Sequence, residues 1–282
     1  MKWLRNFAIF IQTPDMDVLE IRPPFTVQFD VTRNTLASAN TCNLTINNLS
    51  KNIRNRIYKD RYNTTAYWQV IIQAGYKNLY TVFQGNILQS MSFKQDTEWI
   101  TQIECYDGLY GMQNGVVSET VSAGTKNKKI LDTIISSMPN MAKGLFGSFG
   151  EESSGDRGQV LMGGSYGVLN EYTGGKVFVD NETVNVMDDD EVLSDRVAVL
   201  DKNQLFSSPK RQDTNLEVDI LFAPELSVGS YCELRSLDEI YDGQYKVLGF
   251  KHSVVISSSQ AGEAKTSLTL YAGAKAFQEV SA

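Results

Sequence analysis

The 282-residue chain has one histidine, His252, and three cysteines, Cys42, Cys105 and Cys232. The cysteines are widely separated and odd in number, so they supply neither a CxxC metal pair nor a paired disulfide framework. Buried, reduced thiols are expected. Any Ser-His-Asp or Cys-His site would have to be built around His252, which lies inside a strand-like run, Lys251 to Val255, whereas catalytic groups are favoured at loop and strand ends. It reads as an ordinary strand residue. No run approaches the ~18 apolar residues of a membrane helix. The start, Met1 to Phe10, meets Gln12, Pro14 and Asp15 before a signal-length apolar core develops. Synthesis in a cytoplasm without a visible export signal is the expectation. Positive charge is also short: 26 Lys and Arg face 33 Asp and Glu, a net −7. That balance argues against broad nonspecific binding to nucleic acid, which needs cations to replace counterions along the phosphates.

Two motifs are incomplete. Gly158 and Gly163 match the first part of a phosphate loop, but Gly164 and Ser165 stand where Lys and Ser or Thr are required. The run Asp188-Asp189-Asp190-Glu191 lacks the alternating ligands, central glycine and closing glutamate of an EF-hand, although clustered carboxylates suit hard cations. A solvated turn or a helix N-terminus is the simpler reading. No residue is therefore singled out as catalytic, cofactor-binding or metal-ligating, and no cofactor is expected.

The charge is unevenly spread. Residues 1–112 carry a net +2, 113–150 another +2, 151–201 a net −9, and 202–282 a net −2. The negative excess sits in one segment, which is expected to face solvent or a basic partner.

Most of the chain reads as strand. Phe25, Val27, Phe29 and Val31 alternate with polar residues, as do Cys42, Leu44 and Ile46, and then Trp99, Ile103 and Cys105. Ser50 can cap a short helix in which Ile53 and Ile57 share one face; it is placed across one opening of a small barrel. Lys51, Arg54, Arg56, Lys59 and Arg61, with Tyr58 and Tyr62 interleaved, form the best candidate for nucleic-acid contact, against a solvated helix face or a subunit contact. A second helix runs from Thr125, with Ile130, Leu131, Ile134, Ile135 and Met138 in one stripe, and stops at Pro139. Residues 144–175 hold 10 of the 21 glycines and read as a long mobile loop or arm. A compact acidic insertion follows at 176–201, with strands at Val177 and Val179, Val184 and Val186, and Val197 and Val199. Strand alternation resumes with Leu216, Val218, Ile220 and Phe222. The reading is a mainly β protein with minor α: a first β domain at 1–112, a helix, Gly-rich loop and acidic insertion at 113–204, and a second β domain at 205–282.

The order of several runs carries a resemblance. Phe25–Thr32, Asn43–Ile57, Val70–Tyr76, Val82–Ile87 and Trp99–Gly108 resemble the first domain of phage baseplate hub proteins. Leu205–Gln212, Val218–Leu226, Gly229–Leu234 and Gly243–His252 resemble the second. The resemblance implies a non-enzymatic virion protein of the tail baseplate, with two tail-tube-like antiparallel barrels per chain and three chains in a ring. Six similar positions would then match a hexameric tail tube or tube initiator on one side and a trimeric central spike on the other. A tape measure protein is a further implied partner, and DNA would only pass through the lumen. Two other readings stand beside it: a tail-associated cell-wall hydrolase using an acidic pair, with Glu191 or Asp189 as a candidate carboxylate, and a component of a bacterial secretion spike.

Overall fold

The computed structural model describes residues 4–258, 262–271 and 278–280. The first part of the chain is antiparallel: β1 (Asn6–Gln12), β2 (Val18–Ile21), β3 (Val27–Asn34), β4 (Thr41–Asn47), a short helix α1 (Lys51–Arg56), β5 (Gln69–Gly75), β6 (Leu79–Gln95) and β7 (Glu98–Tyr106). The alternation seen in the sequence is the burial pattern: Val27, Phe29 and Val31 are inside while Gln28 and Thr32 are outside. Ser50 caps α1 by accepting from the Ile53 amide, and Ile57 closes it as a fully buried residue.

The middle holds α2 (Leu109–Asn114), β8 (Val116–Val121), α3 (Asn127–Ser136), β9 (Ala142–Lys143), α4 (Gly147–Glu151), β10 (Gln159–Gly164), α5 (Ser165–Tyr172), β11 (Val177–Asp180) and β12 (Thr183–Val186). The Gly-rich stretch is thus not a mobile arm but three packed elements. Phe146, Leu161 and Leu169 join the α3 stripe in one core. Its glycines serve close approach: a Cβ on Gly144 would lie 2.2 Å from Asn185 Oδ1, and one on Gly147 would strike the Glu191 carboxylate.

The last part comprises β13 (Glu191–Asp201), β14 (Lys210–Gln212), β15 (Asn215–Leu221), β16 (Ser230–Arg235), β17 (Gly243–Ile256), β18 (Ala264–Tyr271) and β19 (Gln278–Val280). β13 starts in the acidic segment but pairs in parallel with β16.

The mainly β, antiparallel class stands. Two separate closed barrels do not form among the described residues. The strands instead join one 14-stranded sheet, in the order β14-β15-β18-β17-β3-β4-β7-β6-β5-β1-β2, with β16, β13 and β19 branching from β17. The physical reason is the length of β17. Its first half pairs with β16, and its second half, Gly249 to Ile256, pairs with β3. The edge groups of β3 are therefore satisfied within the chain. Phe222, Val254 and Ile256 from the last part accordingly enter the core of the first.

Candidate functional site

The face of this sheet turned away from the cores is polar and runs without interruption across the β3–β17 junction. Asp30, Thr32 and Asn43 lie on it in the first part, and Lys251, Ser253, Asp219 and Ser267 in the second. Its charges are matched locally. Lys251 Nζ lies 3.5 Å from Asp30 Oδ1, to which Ser253 Oγ also donates. Lys265 Nζ lies 2.9 Å from Asp219, which also accepts from Ser267. Such a face offers many weak hydrogen-bonding groups but no dense cationic track.

The basic cluster at α1 is dismantled by its surroundings. Arg56 pairs with Asp17, Arg61 reaches Glu104 at 3.5 Å, and the Arg54 guanidinium stacks 3.4 Å over the Trp99 ring. Lys59 is buried and donates to the Leu88 carbonyl at 3.0 Å, and burial pulls its pKa down. Lys51, Tyr58 and Tyr62 stay at the surface. Four of these five cations are thus engaged by groups of their own chain.

The acidic segment is used internally as well. At the β11–β12 turn, Asn181 and Glu182 both have positive φ, the geometry of a two-residue hairpin turn. Glu182 is 4% exposed and accepts from Tyr67 Oη, Gln69 Nε2, Gln84 Nε2 and Asn86 Nδ2 at 2.7 to 3.3 Å. The amides of Asn181 and Glu182 donate to Asp107 at 2.7 and 2.6 Å. Burial, and then the Asp180 charge, push the Asp107 carboxyl up to about 7, against the pull of those two amides and of Arg33. Arg33, 3% exposed, grips Asp180 with two nitrogens, Nε at 2.7 Å, and its guanidinium lies 5.2 Å from the Phe250 ring centroid. Nothing in residue type alone signals this socket, since its donors are scattered between residues 33 and 86 and its second acceptor is Asp107.

Asp188 to Glu191 are also engaged. Glu191 is buried, and its carboxylate accepts from the Ser148 and Asp188 amides at 2.6 and 2.8 Å. Asp188 pairs with Lys176, while the buried Lys246 donates to the Asp188 and Asp189 carbonyls. The acidic segment thus meets basic partners, Arg33, Lys176 and Lys246, in its own chain. No group of three His, Cys, Asp or Glu suited to a metal ion occurs among the described residues.

His252 sits on β17, fully buried, 4.5 Å from the Phe250 ring centroid and 5.2 Å from that of Phe222. Its Nδ1 shares a 2.8 Å hydrogen bond with Thr266 Oγ1, and burial followed by the Arg33 charge pulls its pKa down to about 3. It is a neutral core residue at neutral pH. Cys42 and Cys105 face each other across β4 and β7; burial, and then the neighbouring Cys105, raise the Cys42 thiol far above its ordinary value. Cys232 is pushed up to about 12 by burial, so it too remains a thiol. No helix among the described residues is long and apolar enough to cross a membrane.

An open β-rich scaffold with a polar sheet face has the fold of phage tail proteins. It is similar to the tail protein from Neisseria meningitidis MC58, with a TM-score of 0.61 at 10% identity over 94% of this chain and 96% of that one. It is also similar to the 43 kDa tail protein of prophage MuSo2 from Shewanella oneidensis, at 0.59 and 7% identity over 93% and 96%. A third similar structure is the E. coli c3393 protein, at 0.58 and 7% identity over 91% and 76%. That protein is described as a type VI secretion system component resembling the T4 tail proteins gp27 and gp5. No curated protein matches the sequence. The family model described as Baseplate hub gp41 matches residues 8–260, and the chain belongs to that family. Its role is a structural one in a phage baseplate.

Proposed function

We propose that the protein is the adaptor between tail tube and central spike, three copies forming a ring around the passage for DNA. In this reading 1–112 and 205–282 are two tube-like β units, and 113–204 is the insertion that braces them. Three chains then offer six similar positions to a hexameric tube or its initiator and a threefold surface to the spike. The ring belongs to the virion baseplate, and a tape measure protein would thread it. The observation that carries the reading is the single sheet shared by both halves, with a polar face on which Lys251 pairs with Asp30 and Lys265 with Asp219. Such a face lining a lumen lets DNA pass without holding it, because few cations are free to replace counterions.

Electron microscopy of the purified protein tests this directly: a threefold ring with a central hole is expected. A protein that stays monomeric when mixed with the tube and spike proteins of the same phage would overturn the proposal.

A further inference from the structure

The strand pairings of the two halves repeat. β6 and β17 each carry one bulge, between Ile87 and Gln89 and between Val247 and Gly249. From the bulge onwards the registers match residue for residue. Gln89 opposes Glu104, which opposes Asn43, which opposes Asp30. Gly249 opposes Thr269, which opposes Glu217, which opposes Lys210. The strands β6-β7-β4-β3 and β17-β18-β15-β14 are thus one four-stranded sheet built twice.

One joint connects the two. β17 beyond its bulge lies antiparallel to β3, with Ser253 opposite Asp30. The equivalent places at the outer ends, the last stretch of β6 and the edge of β14, have no strand beside them among the described residues. Ser90 exchanges amide and carbonyl with Lys59, so alternation turns the peptide groups of Ser92 and Lys94 away from β7 as well. No backbone group of the described residues meets them there. Exposed large apolar side chains of the polar face gather at the same two ends. Met91 and Phe93, 47% and 41% exposed, lie on the face of Gln102 at the β6 end. Phe206, 55% exposed, donates its amide to the Asp219 carbonyl and lies on the face of Asp219, just before β14.

We propose that β6 of one chain adds antiparallel to β14 of a second copy, repeating between chains the joint that β17 and β3 make within one. The occupant is a second copy because the chain carries both halves of the joint, one at each end of its sheet. The repeat fixes the register: Met91, Ser92 and Phe93 oppose Gln212, Arg211 and Lys210 of the next copy. Ser92 and Arg211 exchange the hydrogen bonds. Pro209 lacks an amide, so the ladder is short, and Phe93 beside Phe206 supplies apolar contact. The contact is head-to-tail, so a rotation closes it. With eight strands per chain, from β14 to β6, three chains close twenty-four. Barrels of about 16–18 strands already leave an aqueous channel, so the passage stays open. The inference deepens the adaptor reading and rests on it for the number of copies.

The test uses the full-length chain. Within one chain Met91 and Gln212 stand at opposite ends of the eight strands, on the order of 30 Å apart. A disulfide between Met91→Cys and Gln212→Cys can therefore join only two chains. Under a thiol oxidant the double variant should give covalent species up to the trimer on a non-reducing gel, while the wild type and the single variants give no such ladder. Phe93→Lys faces Lys210 of the next copy with a like charge and should dissociate, in sedimentation velocity, at concentrations at least about tenfold higher than the wild type. Circular dichroism checks folding, and if one variant is unfolded the other carries the decision. A wild-type chain that is monomeric throughout, a folded double-cysteine variant that associates without cross-linking, or a folded Phe93→Lys that associates like the wild type would overturn the seam. Threefold rings that fail to cross-link leave the adaptor reading standing without this seam. Cross-linked rings that bind neither tube nor spike protein defeat the adaptor reading and leave the seam in place.

Discussion

Asp107 is a residue whose surroundings change its chemistry. Its carboxyl titrates near 7 in the fold against an ordinary 3.8, so between those values the folded chain holds a proton that the unfolded chain releases. The contribution is full below pH 3.8 and is lost as pH rises through 7. Thermal melts of the wild-type protein should therefore show a component of stability falling between about pH 4 and 7, at no more than about 1.4 kcal/mol per pH unit. Asp107→Asn should flatten that component. An unchanged slope in the variant would show that Asp107 is not its source. His252 works the other way: burial has removed its charge, so it contributes packing and one hydrogen bond.

Among the elements, the β11–β12 hairpin is held by its buried valines and, at its tip, by Glu182. Four side chains from the first part of the chain donate to the Glu182 carboxylate. Replacing it with alanine leaves them facing an empty, mostly dry space. Hydrogen bonds to charged groups contribute about 1.5–3 kcal/mol each, with partial recovery by water. Glu182→Ala should thus lower stability by about 3 kcal/mol, read as a shift in urea midpoint with little change in slope. A loss below about 0.5 kcal/mol would mean that the hairpin is held elsewhere. The turn residues Asn181 and Glu182 are visible in the sequence between two Val-rich strands. The socket is not, because its donors come from β3, the segment leading into β5, β5 itself and β6, its acceptor Asp107 from just after β7, and only folding brings them together.

For the whole molecule, the balance of charge on the polar sheet face is the property most closely tied to the proposed passage. Changing Glu217 and Asp219 together to lysine moves that face by four charge units and leaves Lys265 without its partner. Phage carrying the double variant should assemble and then eject DNA more slowly, by about tenfold at low salt and less at high salt. Ejection at the wild-type rate at low salt would remove this face from the lumen. The −7 of the chain says nothing about such a face, since its excess sits in the 151–201 segment, part of which turns inward, as in the Arg33–Asp180 pair.

The class of fold and the local elements are legible from the residues alone. Alternating strands, the Ser50 cap, the α3 stripe and the place of His252 depend on neighbours within about ten residues. Composition alone also misjudged two features, and for one reason. Glycines 144–175 look mobile until Asn185 and Glu191 occupy the space that side chains would have filled, and two barrels look separate until β17 proves long enough to pair with both β16 and β3. Tertiary structure decided those points, together with the Glu182 socket and the free edges of the large sheet at β6 and β14. Each depends on which distant backbone or side-chain group comes within hydrogen-bonding reach, and in the β3–β17 pair the partners lie more than 200 residues apart.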